Sequence, residues 1–214
     1  MKNAPLPENE TARLAELRRY QILDTLPEQA FDDLTALAAQ ICGTPIALVS
    51  LVDAHRQWFK AKVGIDANET SRDIAFCAHA IHQSEILVVP DAAQDERFAD
   101  NPLVAQDPAI RFYAGMPLIT PKGYALGTLC VIDRTPHQLT PAQHEALQIL
   151  GRQAVRLMEV HVQDQERKRA EAALRESEEK YRNLFESSRD AIMLLFPPEW
   201  KFIACNPATV TLFG

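Results

Sequence analysis

The residue types able to do chemistry gather in one short run, Phe76-Cys77-Ala78-His79-Ala80-Ile81-His82, which holds a thiol and two imidazoles. A cysteine thiolate is a nucleophile and a metal ligand, and histidine serves as base or as metal or haem ligand. The run could therefore anchor a cofactor, or bind a metal with His55 as a further ligand. The spacing favours a plainer role for the thiol. Ile74, Cys77 and Ile81 share a face at helical intervals, which makes Cys77 a core residue with His79 and His82 off that face. No CxxC pair and no HExxH occurs, and no nearby carboxylate stands ready to orient the histidines, so neither a metal nor another cofactor is expected. The remaining cysteines, Cys42, Cys130 and Cys205, lie far apart inside apolar runs and read as reduced core thiols of a cytoplasmic protein.

A second group of candidates comes from strand alternation. In IRFYAGMPL, Phe112, Ala114, Met116 and Leu118 point one way, and Arg111, Tyr113 and Gly115 the other. If the first set packs on helices, Arg111 and Tyr113 line the opposite side under the Asp-rich stretch 92–108, where a small ligand could sit. The alternative is that Arg111 pairs with Asp91, Asp95 or Asp107 and holds that stretch down. In RQWFKAKVG, Phe59, Ala61 and Val63 alternate with Trp58, Lys60 and Lys62, as in a strand near a sheet edge. The candidate ligand-binding residues are thus Trp58, Cys77, His79, Arg111 and Tyr113, and none is assigned a catalytic role. No nucleophile elbow, no phosphate-cradling glycine loop and no paired carboxylates are visible, so no enzyme activity is expected.

The elements that must position these residues follow from periodicity. A docking helix is predicted over 11–26, with Leu14, Leu17, Ile22 and Leu23 on its apolar side. A second begins at Pro27 and buries Phe31, Leu34, Leu37, Ala38 and Ile41 before Gly43 stops it. TPIALVSLVD is apolar on both faces, as a central strand is. A short helix follows Ser71-Arg72-Asp73, ILVVPD makes a brief strand, and 92–108 covers the sheet with Phe98 and Leu103 as anchors. Two further strands flank the turn Pro121-Lys122-Gly123 as a hairpin. Five strands interleaved with helices predict an α+β fold: a five- to six-stranded antiparallel sheet with helices on one face and loops on the other.

From Thr140 a capped helix carries Leu147, Leu150, Ala154, Leu157 and Met158 at packing intervals. Beyond it, Val160, Gln163, Arg167, Ala170, Leu174, Ser177, Tyr181 and Leu184 alternate by three and four, a heptad seam that predicts a homodimer through this helix. Glu171 with Arg175 and Glu176 with Lys180 are expected as exposed ion pairs. A net charge of −7 removes the basic footprint that nucleic-acid binding requires. No stretch approaches the roughly 18 consecutive apolar residues of a membrane span.

The blocks LDTLPEQAFDDLTALAAQICGTPIALVSLVDAHRQWFKAKVG, FCAHAI, VVPDAAQDERFADNPLV and IRFYAGMPLITPKGYALGTLCVID resemble, in order, the GAF domains of bacterial sensor histidine kinases and diguanylate cyclases. SEEKYRNLFESSRDAIMLL and NPATVTLFG are similar to the amino-terminal third of a PAS domain. The resulting segmentation is an N-terminal helix at 1–26, a GAF domain at 27–160, a coiled-coil-like linker at 161–180 and a truncated PAS segment at 181–214. A PAS domain needs roughly 100 residues, so this last segment is expected not to close a core. Some GAF relatives attach a bilin through a cysteine followed directly by histidine; Cys77-Ala78-His79 breaks that pattern. Together these features predict a cytoplasmic sensory module that binds a small ligand or relays a signal as a dimer to an output domain outside this chain. Two alternatives stand beside it: a dimerisation unit without ligand, and the cysteine-dependent reduction of free methionine sulfoxide that the GAF fold also hosts.

Overall fold

The computed structural model describes residues 2–213. Met1 and Gly214, the outer ends of the first and last predicted segments, lie outside the described residues. Two compact units divide after Val162.

In the first unit, helices α1 (Glu10–Tyr20) and α2 (Gln29–Cys42) precede β1 (Ile46–Val52), β2 (Arg56–Val63) and β3 (Glu69–Ser71). A single 3-10 turn, Arg72–Ile74, leads into α3 (Phe76–Ala80), and then come β4 (Leu87–Val89), α4 (Pro102–Ala105), β5 (Phe112–Ile119) and β6 (Ala125–Asp133). Helix α5 (Pro141–Ser187) opens on a reciprocal cap: Gln143 N donates to the Thr140 hydroxyl, and the Gln143 side chain accepts from Thr140 N at 2.9 Å. The strands form a six-stranded sheet, β3-β2-β1-β6-β5-β4, in which every neighbouring pair is antiparallel. β1 lies inside the sheet and buries all its residues, as its two-faced apolarity requires.

The two faces carry separate cores. Leu17 and Tyr20 of α1, Phe31 and Ala38 of α2, and Leu147, Ala154 and Met158 of α5 pack on Ala47, Val49, Leu51, Phe112, Ala114 and Leu118. Across the sheet, Phe76, Cys77 and Ile81 of the α3 region, with Phe98 and Val104, pack on Ile46, Leu48, Phe59, Tyr113, Cys130 and Ile132. The long helices hold one face as expected, while the loop face also carries the short helices α3 and α4.

Several local expectations change. α1 ends at Tyr20, because Gln21 takes a left-handed conformation (φ 48°) and its N–H caps Arg18 O. α2 starts at Gln29 rather than Pro27, and its buried stripe is Phe31, Thr35, Ala38, Ala39 and Cys42, which leaves Leu37 and Ile41 exposed. In β2 the simple alternation fails at a bulge: Val49 pairs with Ala61 but Ser50 pairs with Phe59, so Lys60 is the extra residue. Trp58 and Ala61 therefore both reach the helix-side core, and Phe59 reaches the other. Lys60 turns inward, its ammonium 2.6 Å from Glu28, 2.7 Å from the Thr25 hydroxyl and 2.8 Å from Leu26 O.

In the second unit, β7 (Met193–Phe196) pairs antiparallel with β8 (Lys201–Cys205), followed by α6 (Pro207–Phe213). The buried Asn206 ties this hairpin together: its side chain accepts from Ile192 N at 2.9 Å and donates to Asp190 O at 2.8 Å. Met193, Leu195, Phe196, Phe202, Ile203, Val210, Leu212 and Phe213 are exposed within this unit. On the exposed helix, Asp164 pairs with Arg167 and Lys168, Arg167 with Glu171, and Arg175 with Glu179, a different choice of i,i+3 and i,i+4 partners from the pairs predicted.

Candidate functional site

On the face opposite the long helices, α3 and the 92–110 region enclose a narrow chamber above β1, β2, β5 and β6. Its walls are Ile46, Leu48, Phe59, Phe76, Tyr113 and Ile132, with Cys77 at the α3 side and Leu103, Pro108 and Ile110 as cover. Its free volume is about 30 Å³, room for about one water molecule. Two polar groups reach into this apolar space. Gln57 is 5% exposed; its Oε1, and the Thr70 hydroxyl beside it, are buried and meet no hydrogen-bonding partner in the protein. Buried polar groups left unpaired cost on the order of 1–3 kcal/mol each, so their retention calls for a partner that the protein does not supply.

The cover is anchored at several points. Phe98 stacks on Phe76 with ring centroids 4.0 Å apart and is itself buried. Asn101 caps α4, accepting from Leu103 N at 2.9 Å, and its amide donates to Ile74 O at 3.0 Å, joining α4 to the 3-10 turn. Arg111 donates to the carbonyls of Val104 (2.9 Å) and Ile110 (3.1 Å). It thus holds the cover down through backbone acceptors rather than through the aspartates considered from sequence.

Below the chamber lies a compact polar cluster. Cys77 Sγ sits 3.8 Å from Cys130 Sγ and accepts from the Thr128 hydroxyl at 3.0 Å and the Tyr113 hydroxyl at 3.3 Å. Ser50 backs Thr128 at 3.2 Å. Tyr113 reaches the thiol because Gly115, two residues along β5, has no side chain: a Cβ there would lie 2.1 Å from the tyrosine hydroxyl oxygen. Burial pushes the Cys77 thiol up, but hydrogen bonds from Cys130, Ser50, Thr128 and Tyr113 outweigh it and bring the group down to about 7. For Cys130, the hydrogen bond to Cys77 and then burial push the thiol well upward. Burial does the same to the Tyr113 phenol, so it remains a donor.

The sequence-derived candidates therefore separate. Cys77 and Tyr113 come together, and both line the chamber. Arg111 supports the cover from outside it. His79 is half-buried, edge-on to Phe98 with centroids 4.8 Å apart, and burial, then the neighbouring Arg97 cation, lower its pKa. Trp58 belongs to the other face, beside an open depression of about 570 Å³ that also includes Asp24, Lys60 and Lys62. Among the described residues no three of His, Cys, Asp and Glu gather as a metal would require. Gln57 and Thr70 were missed; the faint signal for Gln57 was an amide at the start of a strand whose next residues are aromatic.

Residues 26–157 match the GAF domain family. The chain belongs to that family. Residues 179–214 match a PAS domain, so a PAS-like stretch follows the GAF domain. Over 136 residues, 64% of this chain, the sequence is 46% identical to a cyclic di-GMP phosphodiesterase of Pseudomonas aeruginosa. The match spans only 23% of that protein's length. Among solved structures, the GAF domain of an Acinetobacter phosphoenolpyruvate-protein phosphotransferase matches at 19% identity and TM-score 0.50, covering 69% of this chain and 92% of that one. The blue-light absorbing form of the Thermosynechococcus elongatus PixJ GAF domain matches at 17% identity and TM-score 0.52, covering 76% and 96%. These two likenesses concern the fold. No helix among the described residues is long and apolar enough to cross a membrane.

Proposed function

We propose that the GAF domain is a non-catalytic sensory input module that receives a small, mostly apolar molecule in the chamber beneath the 92–110 cover. The observation that carries this reading is the pair of unpartnered polar groups, Gln57 Oε1 and the Thr70 hydroxyl, set in an otherwise apolar wall. Gln57 Oε1 accepts and the Thr70 hydroxyl can donate or accept, so together they select a ligand with one polar end that carries a hydrogen-bond donor. Ligand pockets typically span about 300–1,000 Å³, so a metabolite enters a chamber of about 30 Å³ only by lifting the cover. Binding is thereby linked to a second arrangement of α4 and α3, which is the requirement for a sensor rather than a store.

The response reaches α5 through the sheet. Phe59 lines the chamber, the adjacent Lys60 grips Glu28 on the opposite face, and Glu28 lies 3.3 Å from His161 Nδ1 on α5. Val160, Leu174, Tyr181 and Leu184 are more than half exposed, which supports self-association along this helix as part of the relay, in a cytoplasmic protein. The output is proposed to act in cyclic di-GMP turnover, because the curated relative that matches at 46% identity is named as a phosphodiesterase of that nucleotide; a histidine kinase or cyclase output has no comparable support.

A thermal-shift panel of metabolites and cyclic nucleotides against the full chain tests the proposal. A true ligand at about a hundred times its dissociation constant adds about 2.7 kcal/mol. Gln57→Leu removes the anchoring acceptor and is expected to abolish that gain while leaving the unliganded protein at least as stable as before, since it also removes an unpaired buried group. A panel with no shift, together with dimers by sedimentation, would point instead to a dimerisation unit without ligand.

A further inference from the structure

We infer that Cys77 and Cys130 form a peroxide-responsive thiol pair, giving the GAF domain a second, oxidative input besides any ligand. The two sulfurs stand 3.8 Å apart, although 53 positions separate them in sequence. A disulfide needs about 2.05 Å between sulfurs, so closure asks for an approach of about 1.8 Å. α3, which carries Cys77, is a five-residue helix resting on the sheet. β6, which carries Cys130, is held on both edges by β1 and β5. The movement therefore falls on α3.

The surroundings give the two thiols different roles. Cys77 lines the chamber and Cys130 lies behind it, outside the lining. Thr128 and Tyr113 direct hydroxyl hydrogens at the Cys77 sulfur, an arrangement that stabilises a thiolate, the nucleophilic form. The low position of the Cys77 thiol agrees with this geometry. A chamber of about 30 Å³ favours the smallest oxidants, such as hydrogen peroxide, over glutathione disulfide. The remaining cysteines are placed elsewhere: Cys42 is in the helix-side core, and Cys205 is in the second unit.

The chemistry closes without another reactant. The Cys77 thiolate attacks one peroxide oxygen; an S–O bond forms, the O–O bond breaks, and hydroxide leaves. Sulfur has lost two electrons and peroxide has gained them. Cys130 then gives its proton to the departing oxygen and attacks the Cys77 sulfenic sulfur. The S–S bond forms, the S–O bond breaks, and water leaves. In sum, two thiols and one hydrogen peroxide yield one disulfide and two waters. Drawing α3 towards β6 displaces Phe76, the ring on which the Phe98 anchor of the cover is stacked.

The test uses the full chain and needs no ligand. After stoichiometric hydrogen peroxide, quenching and alkylation of all free thiols under denaturing conditions, mass spectrometry is expected to find Cys77 and Cys130 unalkylated and joined in one cross-linked peptide. Glutathione disulfide should leave both thiols free. In Cys130→Ser, Cys77 should stop at the sulfenic acid and be trapped by dimedone supplied in the denaturing quench, since the folded chamber is too small to admit it. The inference is overturned if both thiols remain alkylatable under peroxide that oxidises Cys205, or if Cys77 pairs with Cys205 instead. The wild-type measurement decides even if the serine variant does not fold. Because no metabolite is present, its failure would leave the thermal-shift result for a ligand untouched.

Discussion

Replacing Glu10 by glutamine should cost about 3 kcal/mol at neutral pH, and the loss should shrink in acid. Glu10 opens α1 and accepts from Arg13 Nε at 2.7 Å and Nη2 at 2.8 Å, while Arg72 reaches the same carboxylate from the 3-10 turn. Arg13 is 1% exposed, and Arg72 also donates to Asp53 O at 3.0 Å. One carboxylate thus joins α1 to the β1–β2 turn and the start of the chamber wall. Burial alone would raise its pKa, but the hydrogen bonds and charges of Arg13 and Arg72 prevail and lower it from 4.5 to about 2. A difference of about 2.5 units at about 1.36 kcal/mol each gives about 3.4 kcal/mol. Leaving Arg13 buried without its counter-ion gives a similar figure, about 3–5 kcal/mol. Because the folded pKa lies below the unfolded one, the contribution is complete above about pH 4.5 and fades as pH falls through about 2. At pH 3 about 1.4 kcal/mol of it remains. Urea denaturation of wild type and Glu10→Gln at pH 7 and pH 3 measures both values. A difference below about 0.5 kcal/mol at pH 7, or one that stays the same at pH 3, would mean that the Glu10 carboxylate does not hold Arg13 and Arg72 in this way.

Three further substitutions probe the sheet and the connections across it. Glu28→Ala should cost more than Lys60→Met by about 1–2 kcal/mol in chemical denaturation, since the first strands an ammonium whose side chain is fully buried. The second lets a half-exposed carboxylate turn to water while methionine fills the space. Gly115→Ala should destabilise by about 1–3 kcal/mol, because the new methyl occupies the place of the Tyr113 hydroxyl; tyrosine fluorescence of the folded state would report the displaced ring.

Much of the fold was legible because burial writes itself into period. The two-faced apolarity of β1, the β5–β6 hairpin around Pro121-Lys122-Gly123, and Phe98 as anchor of the cover all follow from residue pattern alone. The opposed faces of Phe112 and Tyr113 follow in the same way. What escaped were features set by tertiary partners. The bulge at Lys60 shifts the phase of β2 by one, so that Ala61 joins Trp58 on the helix side instead of sharing a face with Phe59, and nothing in RQWFKAKVG marks it. β3 is three residues long, too short to show alternation. Arg111 found carbonyls where aspartates were the obvious partners, because the chain turns back over its guanidinium. The unpaired polar groups of Gln57 and Thr70 and the meeting of Cys77 with Cys130 depend on strands and a helix brought together from distant parts of the chain.

The central claim is that a ligand enters on the α3 and α4 side of the sheet. Methyl-labelled NMR of the full chain, titrated with the compound giving the largest thermal shift, tests it most directly. Saturable shifts are expected at Ile46, Leu48, Ile65, Leu103, Ile110 and Ile132, with the methyls of Leu17, Leu129 and Leu147 on the helix side moving little. Shifts confined to the helix-side methyls, with the chamber residues unmoved, would contradict it.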